Sequence, residues 1–177
     1  MKPQGSSFDV YVDADFAGNW NPIDAPIDAD TARSRYGYVV MYMGCPITWA
    51  SKIQTEVALS TTESEYIGLS HTLRHVIPLM ELVKELQSKD VLSTDQNPRV
   101  HCKLFEDNSG AIEMANVPKI RPRTKHINVK YHHFREYIST HQVYILKIDT
   151  EDQPDDILTK PLNEDIINKH RHFIMGW

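Results

Sequence analysis

The sequence has few of the features that mark secreted, membrane-bound or thiolate-metal proteins. Only two cysteines occur in 177 residues, Cys45 and Cys102, and they lie far apart without the short spacing of a metal site. This usage favours a reduced, intracellular chain. No run of eighteen apolar residues is present, and the first residues lack the apolar core of a secretory signal. We therefore expect no membrane partner and no export.

Excess positive charge is also absent. The chain carries 19 Lys and Arg residues against 24 Asp and Glu residues, for a formal net charge of −5. This balance argues against a protein whose whole surface binds nucleic acid. It remains compatible with a nuclease whose acidic cluster is neutralised by metal. The length and the 41% hydrophobic content predict one globular domain over residues 1–177. We expect its core over about 8–162 and a C-terminal helical tail over 163–177.

Side-chain periodicity predicts a β-β-β-α-β-α-α-β-α order of elements. Alternating or β-branched stretches predict five strands, at residues 8–13, 35–43, 47–50, 100–106 and 143–148. A capping box from Ser60 to Glu63 opens a long amphipathic helix, which Pro78 is expected to kink or split. Further helices are predicted at residues 108–116, at 126–141 and in the tail. This mixture indicates an α/β sheet with an antiparallel edge and helices on its faces.

Four acids stand where such a sheet brings side chains together. Asp13, Asp107 and Asp156 lie at or just beyond strand ends, or in a loop that enters a helix. Glu65 lies roughly sixty degrees from the centre of the apolar stripe of the long helix, against roughly a hundred degrees for Glu63. A carboxylate that leans towards the core is costly unless it has a partner, and Mg²⁺ is a suitable one. The alternative is that these acids are ordinary solvated surface charges.

Six blocks of sequence change the weight of these alternatives. In order they are residues 11–18 (YVDADFAG), 34–39 with 46–52 (SRYGYV, PITWASK), 58–70 (ALSTTESEYIGLS), 107–112 (DNSGAI), 123–127 (RTKHI) and 150–162 (TEDQPDDILTKPL). Together they resemble the ribonuclease H domain of copia-type LTR retrotransposons, from about residue 9 to residue 165. The resemblance implies an α/β, ribonuclease H-like fold: a five-stranded mixed sheet, its first three strands antiparallel, flanked by helices.

The resemblance also assigns the acids. Asp13, Asp107 and Asp156 match the family's first-strand, fourth-strand and last acids, and the resemblance implies that the last acid opens the terminal helix. Retroviral ribonucleases H place this glutamate just before a Leu/Tyr-x-small-apolar run, which favours Glu65 over Glu63. These four acids are expected to be catalytic and to bind metal. Asp155 is a minor alternative to Asp156, since the family usually has a small apolar residue at that position.

Five other residues are expected to contact substrate. Asn108 and Ser109 directly follow Asp107 and could hydrogen-bond to the nucleic-acid backbone or to 2′-hydroxyl groups. The 2′-hydroxyl is the group that distinguishes RNA from DNA. Arg123 and Lys125 belong to the densest basic stretch and could neutralise phosphates, with an ordinary solvated loop as the alternative. His126 belongs to the same block, with an orienting or phosphate-contacting role. The histidine that many relatives carry after the fifth strand is missing, since residues 150–152 (Thr-Glu-Asp) occupy that loop.

The implied activity is hydrolysis of the RNA strand of RNA–DNA hybrids by two Mg²⁺ ions, which Mn²⁺ can replace, with 5′-phosphate and 3′-hydroxyl products. The reverse transcriptase domain of the same polyprotein is the expected partner, in the cytoplasm or the virus-like particle of the parent element. A catalytically silent binding or tether module is the main alternative. An integrase or a resolvase on the same fold is disfavoured, since integrases usually carry their acids in an Asp-Asp-Glu order.

Four aromatic or imidazole side chains each allow two interpretations. His71 and His75 lie four residues apart on the long helix, a spacing that can bind zinc. No third ligand is apparent in the sequence, so surface histidines are the preferred interpretation. Trp49 and Tyr66 are expected in the core rather than as platforms for stacking bases.

Overall fold

Five strands form one mixed sheet in the computed structural model of the chain, which describes residues 7–24, 27–89, 91–92, 99–117 and 132–177. The strands are β1 (Ser7–Asp15), β2 (Arg35–Tyr42), β3 (Cys45–Ile53), β4 (His101–Glu106) and β5 (Val143–Lys147). Their spatial order is β3-β2-β1-β4-β5. The first three strands pair antiparallel, and β4 and β5 continue the sheet in parallel from β1. The predicted mixed sheet, with its first three strands antiparallel, is confirmed.

Four α-helices and four short 3₁₀ helices are described. The α-helices are α1 (Thr61–Ser88), α2 (Ser109–Asn116), α3 (Arg135–Ser139) and α4 (Glu164–Met175). The 3₁₀ helices span Ala29–Ala32, His132–Phe134, Thr150–Asp152 and Pro154–Leu158. Among the described residues, no helix combines the length and the apolar character that crossing a membrane requires.

The two faces of the sheet are covered by different elements. Phe8, Val10 and Val12 of β1 are fully buried in the larger apolar cluster, which includes the inner face of α1. Tyr11, between them, belongs to a second cluster with Ile174 of α4. The alternation is the period of two that a strand imposes on its side chains. Burying an apolar side chain on either face stabilises the fold by roughly 1.5–3 kcal/mol.

The predicted split of the long helix at Pro78 is wrong, as is the predicted start of the terminal helix. α1 continues through Pro78 as one helix, because the buried residues Val76 and Met80 hold both flanking turns against the sheet. Asp156 was expected to open the terminal helix, but it lies in the 3₁₀ helix Pro154–Leu158, and α4 begins later. Pro161 disfavours helical backbone at the preceding residue, and the Asn163 side chain caps α4 by accepting from the Ile166 N–H at 2.9 Å.

The described part of the predicted helix at residues 126–141 is shorter than expected. The 3₁₀ turn His132–Phe134 leads into α3, which ends at Ser139. Residues 126–131 lie outside the described residues.

The prediction for Tyr66 is confirmed and the one for Trp49 is wrong. Tyr66 is fully buried, whereas Trp49 is 62% exposed. Trp49 lies on the edge strand β3, whose outer face α4 covers only in part. On α1, His71 is half-buried and stacks on Tyr36, with ring centroids 5.3 Å apart, whereas His75 is exposed. The surface position preferred for these histidines therefore holds for His75.

Candidate metal centre

Three carboxylates from three elements converge at one edge of the sheet. Asp13 lies two residues beyond Tyr11, and Asp107 lies two residues beyond Phe105, the parallel partner of Tyr11. Adjacent parallel strands therefore deliver both acids to the same level. Glu65 joins them from the second turn of α1. One oxygen from each carboxylate lies within 4.8 Å of the others, and no other group of this kind occurs among the described residues.

Two buried glutamates add carboxyl groups to this edge, and burial favours their protonated form. Burial, with Glu106 and Asp13 adding to it, raises the pKa of Glu65 to about 11. Glu106 is fully buried, and burial raises its pKa well above the ordinary value. One oxygen of Glu106 accepts from the Asn108 N–H at 3.0 Å. The Oε2 atoms of Glu65 and Glu106 have no hydrogen-bond partner. Such oxygens are costly in a protein interior, and a bound divalent cation would relieve the cost.

Glu106 was not predicted from the sequence as part of this site. Its burial could have been predicted, because it alternates with Cys102 and Leu104 on the covered face of β4. Glu106 is also the last residue of β4 and directly precedes Asp107.

Asp156, the fourth predicted acid, is linked to Asp13 of the three-carboxylate group by Lys160. The ammonium of Lys160 lies 2.9 Å from Asp13 Oδ1 and 2.9 Å from Asp156 Oδ1. Burial lowers the pKa of Lys160, but the two carboxylates outweigh that effect and raise it above the ordinary value. Asp156 itself is nearly buried, and burial raises its pKa while the Lys160 contact opposes the rise. Lys160 was not predicted from the sequence, although its spacing of four residues from Asp156 was a signal.

The two acids at positions 155 and 156 have different surroundings. Asp155 is completely buried, and neither of its carboxylate oxygens has a hydrogen-bond partner. Burial raises its pKa well above the ordinary value, and Asp13 and Asp156 add to the rise. Asp156 shares the Lys160 ammonium with Asp13. The shared cation ties Asp156 to the metal-competent group, and Asp155 has no such contact.

The two glutamates at the start of α1 also differ. The Glu63 N–H donates to Ser60 Oγ at 3.2 Å, and Glu63 Oε2 accepts from the Leu59 N–H at 2.9 Å. The Glu63 carboxylate therefore caps the first turn of α1. The Glu65 carboxylate lies one half-turn further on, within the three-carboxylate group.

Two threonine hydroxyls orient the acids. Thr150 Oγ1 donates to Asp107 Oδ2 at 2.7 Å, and Thr159 Oγ1 donates to Asp13 Oδ2. Thr150 belongs to the loop after β5, where the expected family histidine is missing. That loop therefore still contacts the site, through a hydroxyl rather than an imidazole.

Two of the five residues predicted to contact substrate lie among the residues that the structure describes. Asn108 is half-buried and caps α2, its Oδ1 accepting from the Gly110 and Ala111 N–H groups at 2.9 and 3.1 Å. Ser109 is exposed at the start of α2. The remaining predicted contacts, Arg123, Lys125 and His126, lie outside the described residues.

Comparison with known sequences finds relatives among transposon polyproteins. The chain is 38% identical over 152 residues to the retrovirus-related Pol polyprotein from transposon TNT 1-94 of Nicotiana tabacum. It is 33% identical over 157 residues to those from transposons RE1 and RE2 of Arabidopsis thaliana. The alignments cover 85% and 89% of this chain, but the chain spans only 10% of the length of each relative. No protein-family model matches the chain.

Comparison with solved structures finds ribonucleases H of low sequence identity. LC11-RNase H1, isolated from compost, superposes with a TM-score of 0.56 at 17% identity, covering 93% of this chain and 97% of its own. The same enzyme in complex with an RNA/DNA hybrid gives 0.51 at 15% identity, covering 86% and 93%. The N-terminal RNase H domain of Rv2228c from Mycobacterium tuberculosis gives 0.54 at 13% identity, covering 94% and 97%. At these identities the likeness concerns the fold alone.

Proposed function

We propose that this chain, which has the ribonuclease H fold and is homologous to a segment of copia-type Pol polyproteins, hydrolyses the RNA strand of RNA–DNA hybrids. The observation that carries the proposal is the convergence of Asp13, Glu65 and Asp107, with one oxygen of each within 4.8 Å of the others. Carboxylates gathered from three separate elements are costly without a cation, and their oxygens are the ligands that Mg²⁺ prefers.

The proposed cofactors are two Mg²⁺ ions, with Mn²⁺ as a substitute. Asp13, Glu65, Asp107 and Asp156 would hold them. When bound, such ions lower the pKa of the attacking water and stabilise the 3′ leaving oxygen, so that the products are a 5′-phosphate and a 3′-hydroxyl. The donor set fits, because it consists of oxygen ligands and includes the unpartnered Oε2 of Glu65.

The neighbouring side chains of the proposed site hold the acids in place. The hydroxyls of Thr150 and Thr159 donate to Asp107 and Asp13 and restrict the rotation of both carboxylates. The Lys160 ammonium offsets part of the negative charge that these acids bring together. The compensation by Lys160 favours the approach of an anionic substrate, since uncompensated carboxylates would repel a phosphodiester.

The proposed substrate follows from the fold and its relatives. A structural neighbour has been solved with an RNA/DNA hybrid, and the sequence relatives are Pol polyproteins. Asn108 and Ser109, together with Arg123, Lys125 and His126, are proposed to contact the hybrid. The reverse transcriptase domain of the same polyprotein is the proposed partner. The site of action would be the cytoplasm or the virus-like particle of the parent element.

The decisive test is cleavage of a labelled RNA strand annealed to DNA, resolved on a gel. We expect the native chain to cut in Mg²⁺ or Mn²⁺ but not in Ca²⁺, and Asp107→Asn to lose at least about a hundredfold in rate. Asp165→Asn, which changes an exposed acid in the first turn of α4, is the matched control and should cut normally. Hybrid binding without cleavage by the native chain would instead support a catalytically silent module. Undiminished cleavage by Asp107→Asn would remove the metal-site assignment.

A further inference from the structure

A basic and aromatic groove lies on the face of the sheet that α1 does not cover. It has a volume of about 350 Å³ and is lined by Arg99, His101, Lys103, His141, Tyr144 and Leu146. None of these described lining residues is acidic, although the chain as a whole carries a net charge of −5. The groove therefore presents two permanent cations and no acidic lining residue, on a chain whose net charge is negative.

The groove is a consequence of strand alternation at the edge of the sheet. In β4, Cys102 and Leu104 are fully buried towards α1, which directs His101 and Lys103 to the opposite face. In the edge strand β5, Val143 and Ile145 are buried and Tyr144 is 41% exposed. The second apolar cluster, beneath α4, does not extend to these residues. An open sheet surface with aromatic side chains is therefore available at this edge.

The aromatic side chains are held in a defined arrangement. The rings of Tyr144 and His141 are nearly parallel, at 16° and 6.2 Å between centroids. His101 meets Tyr144 edge-on at 6.1 Å, and its Nδ1 lies 3.1 Å from the Arg99 carbonyl oxygen. Tyr144 therefore lies between two imidazoles in a groove that remains open to solvent.

Two cations border these rings. The Arg99 guanidinium donates to the Thr140 carbonyl oxygen at 2.7 Å, which anchors it beside the groove. Neither Arg99 nor Lys103 forms an ion pair with a described carboxylate. Asp9 is a half-buried acid that lies opposite Lys103 in the sheet register. It does not form one of the ion pairs found among the described residues. The two cations thus remain available for an external anion.

We propose that this groove, lined by the six residues above, binds single-stranded nucleic acid. Unpaired bases stack on exposed aromatic rings, while neighbouring lysine and arginine side chains contact the phosphates, and this combination tolerates any sequence. A duplex has no unpaired base to offer Tyr144, and an acidic peptide would use the cations but not the ring. The groove is separate from the acidic cluster, because Lys103 precedes Asp107 by about 13 Å along β4 at the rise of an extended strand. A strand extending from a bound hybrid is the form of ligand that would reach it.

The test is fluorescence polarisation of a labelled 12-nucleotide oligouridylate, measured with the whole chain in EDTA so that no metal-mediated contact contributes. We expect Tyr144→Leu and Lys103→Gln each to weaken binding by at least about fivefold. Lys89→Gln, which changes an exposed lysine at the end of α1, should bind as the native chain does. An oligothymidylate of equal length should compete with the probe, since stacking does not require the 2′-hydroxyl.

Three results would overturn the proposal: equal binding by all variants, stronger competition by a blunt duplex, or stronger competition by an oligoglutamate peptide. Cleavage of a blunt RNA–DNA hybrid in Mg²⁺ is measured in parallel, with Tyr144→Leu expected to cut at the native rate. Loss of single-strand binding with intact cleavage would support the groove and the proposed nuclease together. Single-strand binding in a chain that does not cut would uphold the groove alone, so the two proposals fail separately.

Discussion

The ammonium of Lys160 lies 2.9 Å from a carboxylate oxygen of Asp13, although 147 positions separate the two residues. The same nitrogen is 2.9 Å from Asp156. One cation from the C-terminal part of the chain therefore joins an acid of the first strand to an acid of the 3₁₀ helix Pro154–Leu158. Because it lies between two proposed metal ligands, we expect the lysine to compete with a divalent cation for their oxygens.

Replacing this lysine should make the fold more dependent on metal. We expect Lys160→Met to lower the free energy of unfolding in EDTA by about 1–3 kcal/mol, because two largely buried carboxylates lose their cation. Mg²⁺ should then raise the Tm of the variant more than that of the native chain. Thermal unfolding with and without Mg²⁺ measures both effects. Lys169→Met, which removes a more exposed ion pair with Asp152, is the control. Equal Mg²⁺ shifts in the native chain and in Lys160→Met would contradict competition.

The buried acids should make the metal-free fold sensitive to alkaline pH. The pKa of Glu65 is raised to about 11 in the fold, so folding favours its protonated form. Its contribution is fully present below the ordinary pKa of about 4.5 and is lost as the pH rises from there towards 11. Denaturant unfolding in EDTA at pH 5, 7 and 9 should show this decline. Glu65→Gln should flatten it, and saturating Mg²⁺ should reduce it in the native chain. A pH-independent free energy of unfolding in EDTA would refute this reasoning.

Substitutions of the two glutamates at the start of α1 should separate effects on stability from effects on activity. Glu63→Ala removes the carboxylate that accepts from the Leu59 N–H, and we expect it to cost about 1 kcal/mol of stability while cleavage continues. Glu65→Gln should abolish Mg²⁺-dependent cleavage and leave the fold intact. Chemical denaturation and the hybrid cleavage assay, applied to both variants, distinguish the roles. The assignment fails if Glu63→Ala is the inactive variant.

The hydroxyl of Thr150 should matter for catalysis rather than for folding. It donates to Asp107 Oδ2 at 2.7 Å, and partners of metal ligands typically contribute about tenfold to a hundredfold in affinity or activity. We expect Thr150→Val to reduce cleavage and Mn²⁺ affinity within that range, since the carboxylate loses its orienting donor. Thr150→Ser retains the hydroxyl and should stay close to the native rate. Native behaviour in Thr150→Val would show that this contact has no catalytic role.

Local sequence determined the elements and the family. The alternation in β1, the capping box at Ser60 and the existence of the two strands that follow α1 were all predictable, since each depends on side chains close together in the chain. The six ordered blocks identified the copia-type resemblance, which the Pol relatives and the ribonuclease H fold confirm. Helical geometry also favoured Glu65 over Glu63, and the Glu65 carboxylate lies in the three-carboxylate group, whereas its catalytic role stays a prediction.

Only the tertiary structure decided what surrounds the acids. Lys160, Thr150 and Thr159 contact carboxylates far away in sequence, and no local pattern encodes which side chains meet when strands pair and helices pack. The exposure of Trp49 had the same origin, since burial depends on which element covers a strand face rather than on hydrophobicity alone. Periodicity thus determined the strands and helices, whereas the cation, the hydroxyls and the basic groove arose from long-range packing.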